Sequence, residues 1–90
     1  MTSPSYRLEL SSQAETVLRK MAQREPDMYR RITHALDDLE HDPFQGKMLI
    51  GELKGRHSYR VGTYRILYLV HRHALLILVI DIGHRRDIYR

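Results

Sequence analysis

Apolar and polar residues alternate from Tyr6 to Leu10, the period of a half-buried strand. From Ser12 the period lengthens. Ala14, Val17, Leu18 and Met21 are spaced to fall on one face of a helix. Ser12-Gln-Ala-Glu15 reads as its capping box, the Ser hydroxyl capping the first turn while Glu15 reaches back. Pro26 suits the first turn of a second helix, where its missing N–H costs nothing. Tyr29, Ile32, Leu36 and Leu39 give that helix its apolar stripe, and Asp42-Pro43 ends it. Asp37, Asp38 and Glu40 fall on its solvated side. Two amphipathic helices joined by so short a turn predict a helical hairpin.

The second half changes period. Asp42 to Gly55 holds one Pro and three Gly and reads as a linker inside one domain. Tyr59 to Val70 is rich in Val, Ile, Tyr and Leu and predicts a strand or strand pair, with Gly62-Thr63 as a bend or turn. His71-Arg72-His73 is a polar break suited to a hairpin loop. Leu75 to Ile82 predicts a central strand covered on at least one face, ended by Gly83. The order is β-α-α-β-β-β. Helices followed by a run of strands predict an α+β fold, the hairpin packed on a mostly antiparallel sheet.

Composition narrows what such a fold does. A chain of 90 residues predicts a single domain over residues 1–90. It has no cysteine, which excludes disulfides and thiolate metal sites. Its longest apolar run, Ala74 to Ile80, is too short to cross a bilayer. No secretory signal pattern is visible, so the expected location is the cytoplasm, with no membrane partner. The net charge of +4 is unevenly placed. Residues 1–52 hold seven Lys/Arg against nine Asp/Glu, net −2; residues 53–90 hold eight against two, net +6. Seven of those eight cations are Arg, which grips phosphate with a planar fork. An anionic partner, nucleic acid or an acidic protein segment, is expected on the second half.

The chemistry-bearing residues fit few reactions. The six histidines, His34, His41, His57, His71, His73 and His84, show no metal-ligand spacing and read as solvated loop and helix residues, so neither a metal nor another cofactor is expected. Asp81 and Asp87 are the only carboxylates after residue 53, too few for paired-carboxylate catalysis, and no nucleophile elbow or phosphate loop is present. What remains is a set of arginines and tyrosines. In a strand, Arg65 and Leu67 point one way and Tyr64, Ile66 and Tyr68 the other. Arg60 shares the side of Arg65 only if the chain turns at Gly62-Thr63. Arg and Tyr suffice for RNA cleavage, because RNA carries its own nucleophile in the 2′-hydroxyl. Guanidiniums stabilise the extra phosphate charge, and a tyrosine among them is drawn toward its phenolate. Simple phosphate binding fits the same residues.

Three stretches, Glu52–Arg56, Tyr59–Tyr68 and Ile80–Tyr89, together resemble the RelE/ParE toxin superfamily, most closely its RelE-type members. The resemblance extends over nearly the whole chain. It implies a metal-independent endoribonuclease that cuts mRNA in the A site of the 70S ribosome, leaving a 2′,3′-cyclic phosphate and a 5′-hydroxyl. It further implies a cognate antitoxin, with operator DNA bound only through the antitoxin complex. By position, Arg65 matches the arginine on the scissile phosphate, Arg85 one that stabilises the transition state or acts as acid, and Tyr89 the proposed general base. Arg60 matches a basic residue of the preceding strand, and Ser58 stands where the best-known form carries another cation. Lys54, Arg56, Arg86 and His84 fall where RNA contacts are expected, and His84 is a further acid–base candidate. The alternatives that the resemblance leaves open are a ParE-like inhibitor of DNA gyrase and a catalytically weak toxin-fold partner in operon autoregulation.

Overall fold

The computed structural model describes residues 6–49 and 55–84. Strand β1 (Arg7–Leu10) leads into helices α1 (Ser12–Arg24) and α2 (Pro26–His41) and a 3-10 turn (Pro43–Gln45). Four strands follow: β2 (Lys47–Met48), β3 (His57–Val61), β4 (Tyr64–His71) and β5 (Leu76–His84). The sheet order is β1-β5-β4-β3-β2, antiparallel except for the parallel β1–β5 pair. The fold is α+β, with the helical hairpin laid on one face of the sheet.

Each helix buries the stripe that its spacing predicts. Ala14, Leu18 and Met21 of α1, and Ile32, Ala35, Leu36 and Leu39 of α2, pack on Val61, Tyr64, Ile66, Tyr68, Ile77, Val79 and Ile82 of the sheet. At roughly 1.5–3 kcal/mol per buried large apolar side chain, this layer is the principal stabilising contribution. The expected linker contains the 3-10 turn and the short strand β2, so the sheet has five strands rather than four. Tyr68, fully buried, holds that segment: its hydroxyl donates to the Pro43 carbonyl (2.7 Å) and accepts from the Gly46 N–H (3.1 Å). A Cβ at Gly46 would collide with that hydroxyl.

Two further details depart from expectation. The cap of α1 is Ser11, not Ser12: its Oγ accepts from the Ala14 N–H at 3.0 Å. The same hydroxyl donates to the Ile80 carbonyl at 2.5 Å, and the Ser11 N–H donates to the Val79 carbonyl at 2.9 Å. Ile80 is one residue too many in its strand, because Leu67 pairs with Asp81 while the next residue, Tyr68, pairs with Val79. The cap thus fastens α1 to a bulge in β5, a tertiary bond open to Ser11 alone. In addition, β5 runs through Gly83 to His84 instead of stopping at Ile82.

One histidine is not solvated. His57 is 7% exposed, stacked on Tyr68 (centroids 5.2 Å) and edge-on to Phe44 (6.2 Å). Among the described residues its Nδ1 has no hydrogen-bond partner. Burial, and secondarily the charge of Arg72, lower its pKa below the ordinary 6.5.

Ser11→Ala is expected to lower stability by about 1–2 kcal/mol, seen as an earlier urea midpoint with an unchanged slope. The folded state disfavours protonated His57, so the stabilisation from its neutral form is complete above the unfolded value and lost as pH falls through the depressed folded value. Urea midpoints of the wild-type protein are therefore expected to fall as the pH drops below the ordinary histidine value of about 6.5. His57→Phe is expected to flatten that decline, and an identical decline in the variant would refute the assignment to His57.

Candidate functional site

The β3–β4 hairpin gathers the site. Its two-residue turn, Gly62-Thr63, has Gly62 at φ +61 in the first central position while Thr63 keeps a negative φ, the arrangement of a type II′ turn. The turn fixes the register: Val61 pairs with Tyr64, Arg60 with Arg65, Tyr59 with Ile66 and Ser58 with Leu67. The two arginines, five apart in sequence, therefore stand directly opposite each other on the sheet face turned away from the helices. Alternation from the hydrogen-bonded pair that closes the turn makes Arg60–Arg65 a non-hydrogen-bonded pair, the kind that holds side chains closer. Like charges placed directly opposite repel, so the pair favours an anion between them.

Neighbouring strands complete this face. On β3 the Ser58 hydroxyl, 2% exposed as a residue, accepts from Arg65 Nη1 at 3.2 Å. On β2, Lys47 is the register partner of Ser58, which adds an exposed ammonium to the row. On β5 the register partner of Arg65 is Gly83, which has no side chain. The Asp81 carboxylate lies two pairs further along and accepts from the Ile82 N–H at 2.8 Å. Lys47 and Ser58 are the residues that sequence reasoning did not assign to the site. Ser58 was visible only as a missing cation, and a two-residue strand leaves no period by which Lys47 is placed.

The other expected residues distribute as follows. Arg60 and Arg65 come together. Arg56 precedes β3, half-exposed, and its carbonyl accepts from the Leu49 N–H at 2.9 Å, beside the β2–β3 pair. His84 is not brought to this face. It pairs with Tyr64 across β4–β5 and stacks on the Tyr64 ring (centroids 4.4 Å), on the helix side of the sheet. Lys54, Arg85, Arg86 and Tyr89 lie outside the described residues.

Tyr64 is itself tied down. Its hydroxyl donates at 2.6 Å to Glu25 Oε2, at the joint between the two helices. This hydrogen bond, with burial and the carboxylate charge, pushes the Tyr64 pKa up to about 12. Tyr68 is likewise pushed up to about 12, chiefly by burial. Both of these β4 phenols thus stay protonated near neutrality. No group of three or more His, Asp or Glu side chains arranged to hold a metal ion occurs among the described residues.

Comparison with known proteins places this arrangement. The family model of the ParE toxin of type II toxin-antitoxin systems, parDE, matches residues 8–89. Toxin RelG of Mycobacterium tuberculosis is 40% identical over 60 residues, spanning 66% of this chain and 69% of that protein. Among solved structures, the RelBE2 toxin-antitoxin complex of M. tuberculosis contains a chain with TM-score 0.79 and 30% identity, covering 90% of this chain and 99% of that one. The YoeB/ParE toxin of Agrobacterium tumefaciens shares the fold at TM-score 0.79 and 19% identity, covering 88% and 98%. With its helical hairpin, five-stranded sheet and hairpin-borne arginines, the chain belongs to the RelE/ParE superfamily of type II toxin–antitoxin toxins.

Proposed function

We propose that this toxin is an endoribonuclease that cleaves mRNA on the ribosome without a metal ion and thereby stops translation in the cytoplasm. The observation that carries the reading is the Arg60–Arg65 pair, two guanidiniums set opposite each other on one sheet face, with Ser58 orienting Arg65. A scissile phosphate seated there meets preorganised charge where the transition state gathers it.

The reaction needs little else from the protein. The 2′-oxygen attacks the adjacent phosphorus, the P–O5′ bond breaks, and a 2′,3′-cyclic phosphate and a 5′-hydroxyl result. One proton leaves the 2′-hydroxyl and one reaches the 5′-oxygen. Arg65 stabilises the phosphate charge and Arg60 assists it. Tyr64 and Tyr68, held protonated, do not serve as the base. The base is assigned to Tyr89 and the acid, or a second stabilising charge, to Arg85, both from the resemblance alone. Lys54, Arg56 and Arg86 bind the RNA backbone, and His84, stacked on Tyr64, takes no part in the chemistry.

An antitoxin partner fits the same surface. The RelBE2 neighbour was solved as a toxin-antitoxin complex, and the net +6 of residues 53–90 suits an acidic, wrapping segment. Operator DNA would be reached through that complex.

The test is primer extension on mRNA programmed into ribosomes, beside ribosome-free RNA and a gyrase supercoiling assay. Wild-type protein is expected to cut only the ribosome-bound message. Arg65→Ala is expected to slow cleavage by about 10²–10³-fold, the usual loss for one oxyanion-stabilising donor, with the cooperative urea transition of a folded protein retained. A folded Arg65→Ala protein that cuts at the wild-type rate overturns the role of Arg65. Growth arrest with gyrase inhibition and no cleavage replaces the nuclease reading with a ParE-like one.

A further inference from the structure

A third arginine, from outside the hairpin, reaches the β3–β4 turn. It is Arg31 of α2: a Cβ built on Gly62 would lie 3.2 Å from Arg31 Nη1 and 3.4 Å from Nη2. Arg60 approaches the same glycine, its Nε donating to the Gly62 carbonyl at 3.2 Å. The two guanidiniums thus converge on one turn, one from the helix layer and one from the sheet. Between them runs an open groove of ≈ 200 Å³, lined by Arg31, His34 and Asp38 of α2 and by Tyr59 and Arg60 of β3.

The charges in this groove are not balanced internally. Its one carboxylate, Asp38, sits 3.8 Å from His34 Nε2, one helical turn away. Among the described residues neither Arg31 nor Arg60 forms an ion pair. The backbone adds a donor. Strand β2 covers β3 only at His57 and Ser58, so no described strand flanks residues 59–61 on the outer edge. In a non-hydrogen-bonded pair the N–H of Arg60 points outward, to that edge. The half-buried Tyr59 side chain lines the groove and packs against the core behind it.

We infer that this α2–β3 groove is a second phosphate-binding locus, which takes the RNA backbone next to the phosphate held at Arg65. The inference rests on the proposed RNA substrate and names a contact surface for it. Arg60 belongs to both loci, standing opposite Arg65 on one side and lining the groove on the other. A continuous polyanion bridges them, whereas an isolated anion satisfies only one. Arg31 is a positioning and binding residue here and touches no reacting atom.

The test is binding of a fluorescent 2′-O-methyl RNA, which lacks the nucleophile and cannot be cut. Anisotropy titrations over a range of salt compare the full-length wild-type chain with Arg31→Gln and Arg31→Lys. Arg31 is exposed on α2, and unfolding midpoints check that both variants fold. Loss of one phosphate contact is expected to flatten the log–log salt slope by about 0.7, a loss of about fivefold in affinity at about 0.1 M salt. Arg31→Lys is expected to keep the wild-type slope. An Arg31→Gln protein with wild-type affinity and slope overturns the groove, as does a wild-type protein that does not bind the RNA. Equal displacement of the RNA by polyglutamate of the same charge also overturns it, in favour of an acidic protein partner. The outcome is independent of cleavage: Arg31-dependent binding by a protein that cuts nothing on the ribosome keeps the groove and rejects the nuclease.

Discussion

The fold turns on one extra residue in β5. Before Ile80, Ile77 and Val79 face the helices; after it, Ile82 does, and all three are essentially fully buried. Strict alternation from Val79 would turn Asp81 toward the apolar layer and put Ile82 on the far face. A carboxylate there would face a desolvation cost with no cation to offset it. The bulge resets the phase, so that Asp81 and Gly83 lie on the same face as Arg65 and Leu67. Ser11 stabilises this irregularity by taking the Ile80 carbonyl while capping α1. One hydroxyl therefore couples the start of the helical layer to the residue that sets which side chains face the site.

The two faces of the hairpin divide the work. On the helix side, Tyr64 is fixed by Glu25 and by the His84 ring, and Tyr68 by Pro43 and Gly46. On the other side, Arg60 and Arg65 stand directly opposite each other, with Arg65 bonded to the Ser58 hydroxyl. A two-residue turn leaves no freedom for the strands to slip and separate the charges, because a slip of one residue would expose the Val61–Tyr64–Ile66 face. The packed face thus holds the repulsive face in register.

Much of this arrangement was legible in the residues. Helical periods around Ala14 and Ile32, the Pro26 start and the Gly62-Thr63 turn are local signals, and the structure follows each. The convergence of Arg60 and Arg65 followed from the turn alone. What stayed hidden depends on partners distant in sequence. Ser11 and Ser12 are equivalent as caps until the Ile80 carbonyl selects between them. The bulge is invisible because the run before Asp81 is apolar at every position from Ala74, so the run has no phase to read. Strand β2 is too short to show a period, which concealed Lys47. His84 was grouped with Arg85 by adjacency, yet the continuation of β5 carries it to the opposite face from Arg65.

Arg31 shows the same limit most clearly, and it also bears on how the surface is organised. In the sequence it is one of two arginines on an amphipathic helix, with Arg30 beside it salt-bridged to Asp27. Its distinction arises because α2 packs where its polar flank meets the Gly62 turn, and a turn glycine leaves room for a guanidinium. The hairpin therefore presents cations in two directions from one short loop: Arg65 across the sheet, Arg31 along the helix edge, and Arg60 between them. A small protein has little area on which to bind a long polyanion. Under the proposed RNA-binding role, three guanidiniums around a rigid two-residue turn would hold a strand at adjacent points with little loss of conformational entropy at the turn itself.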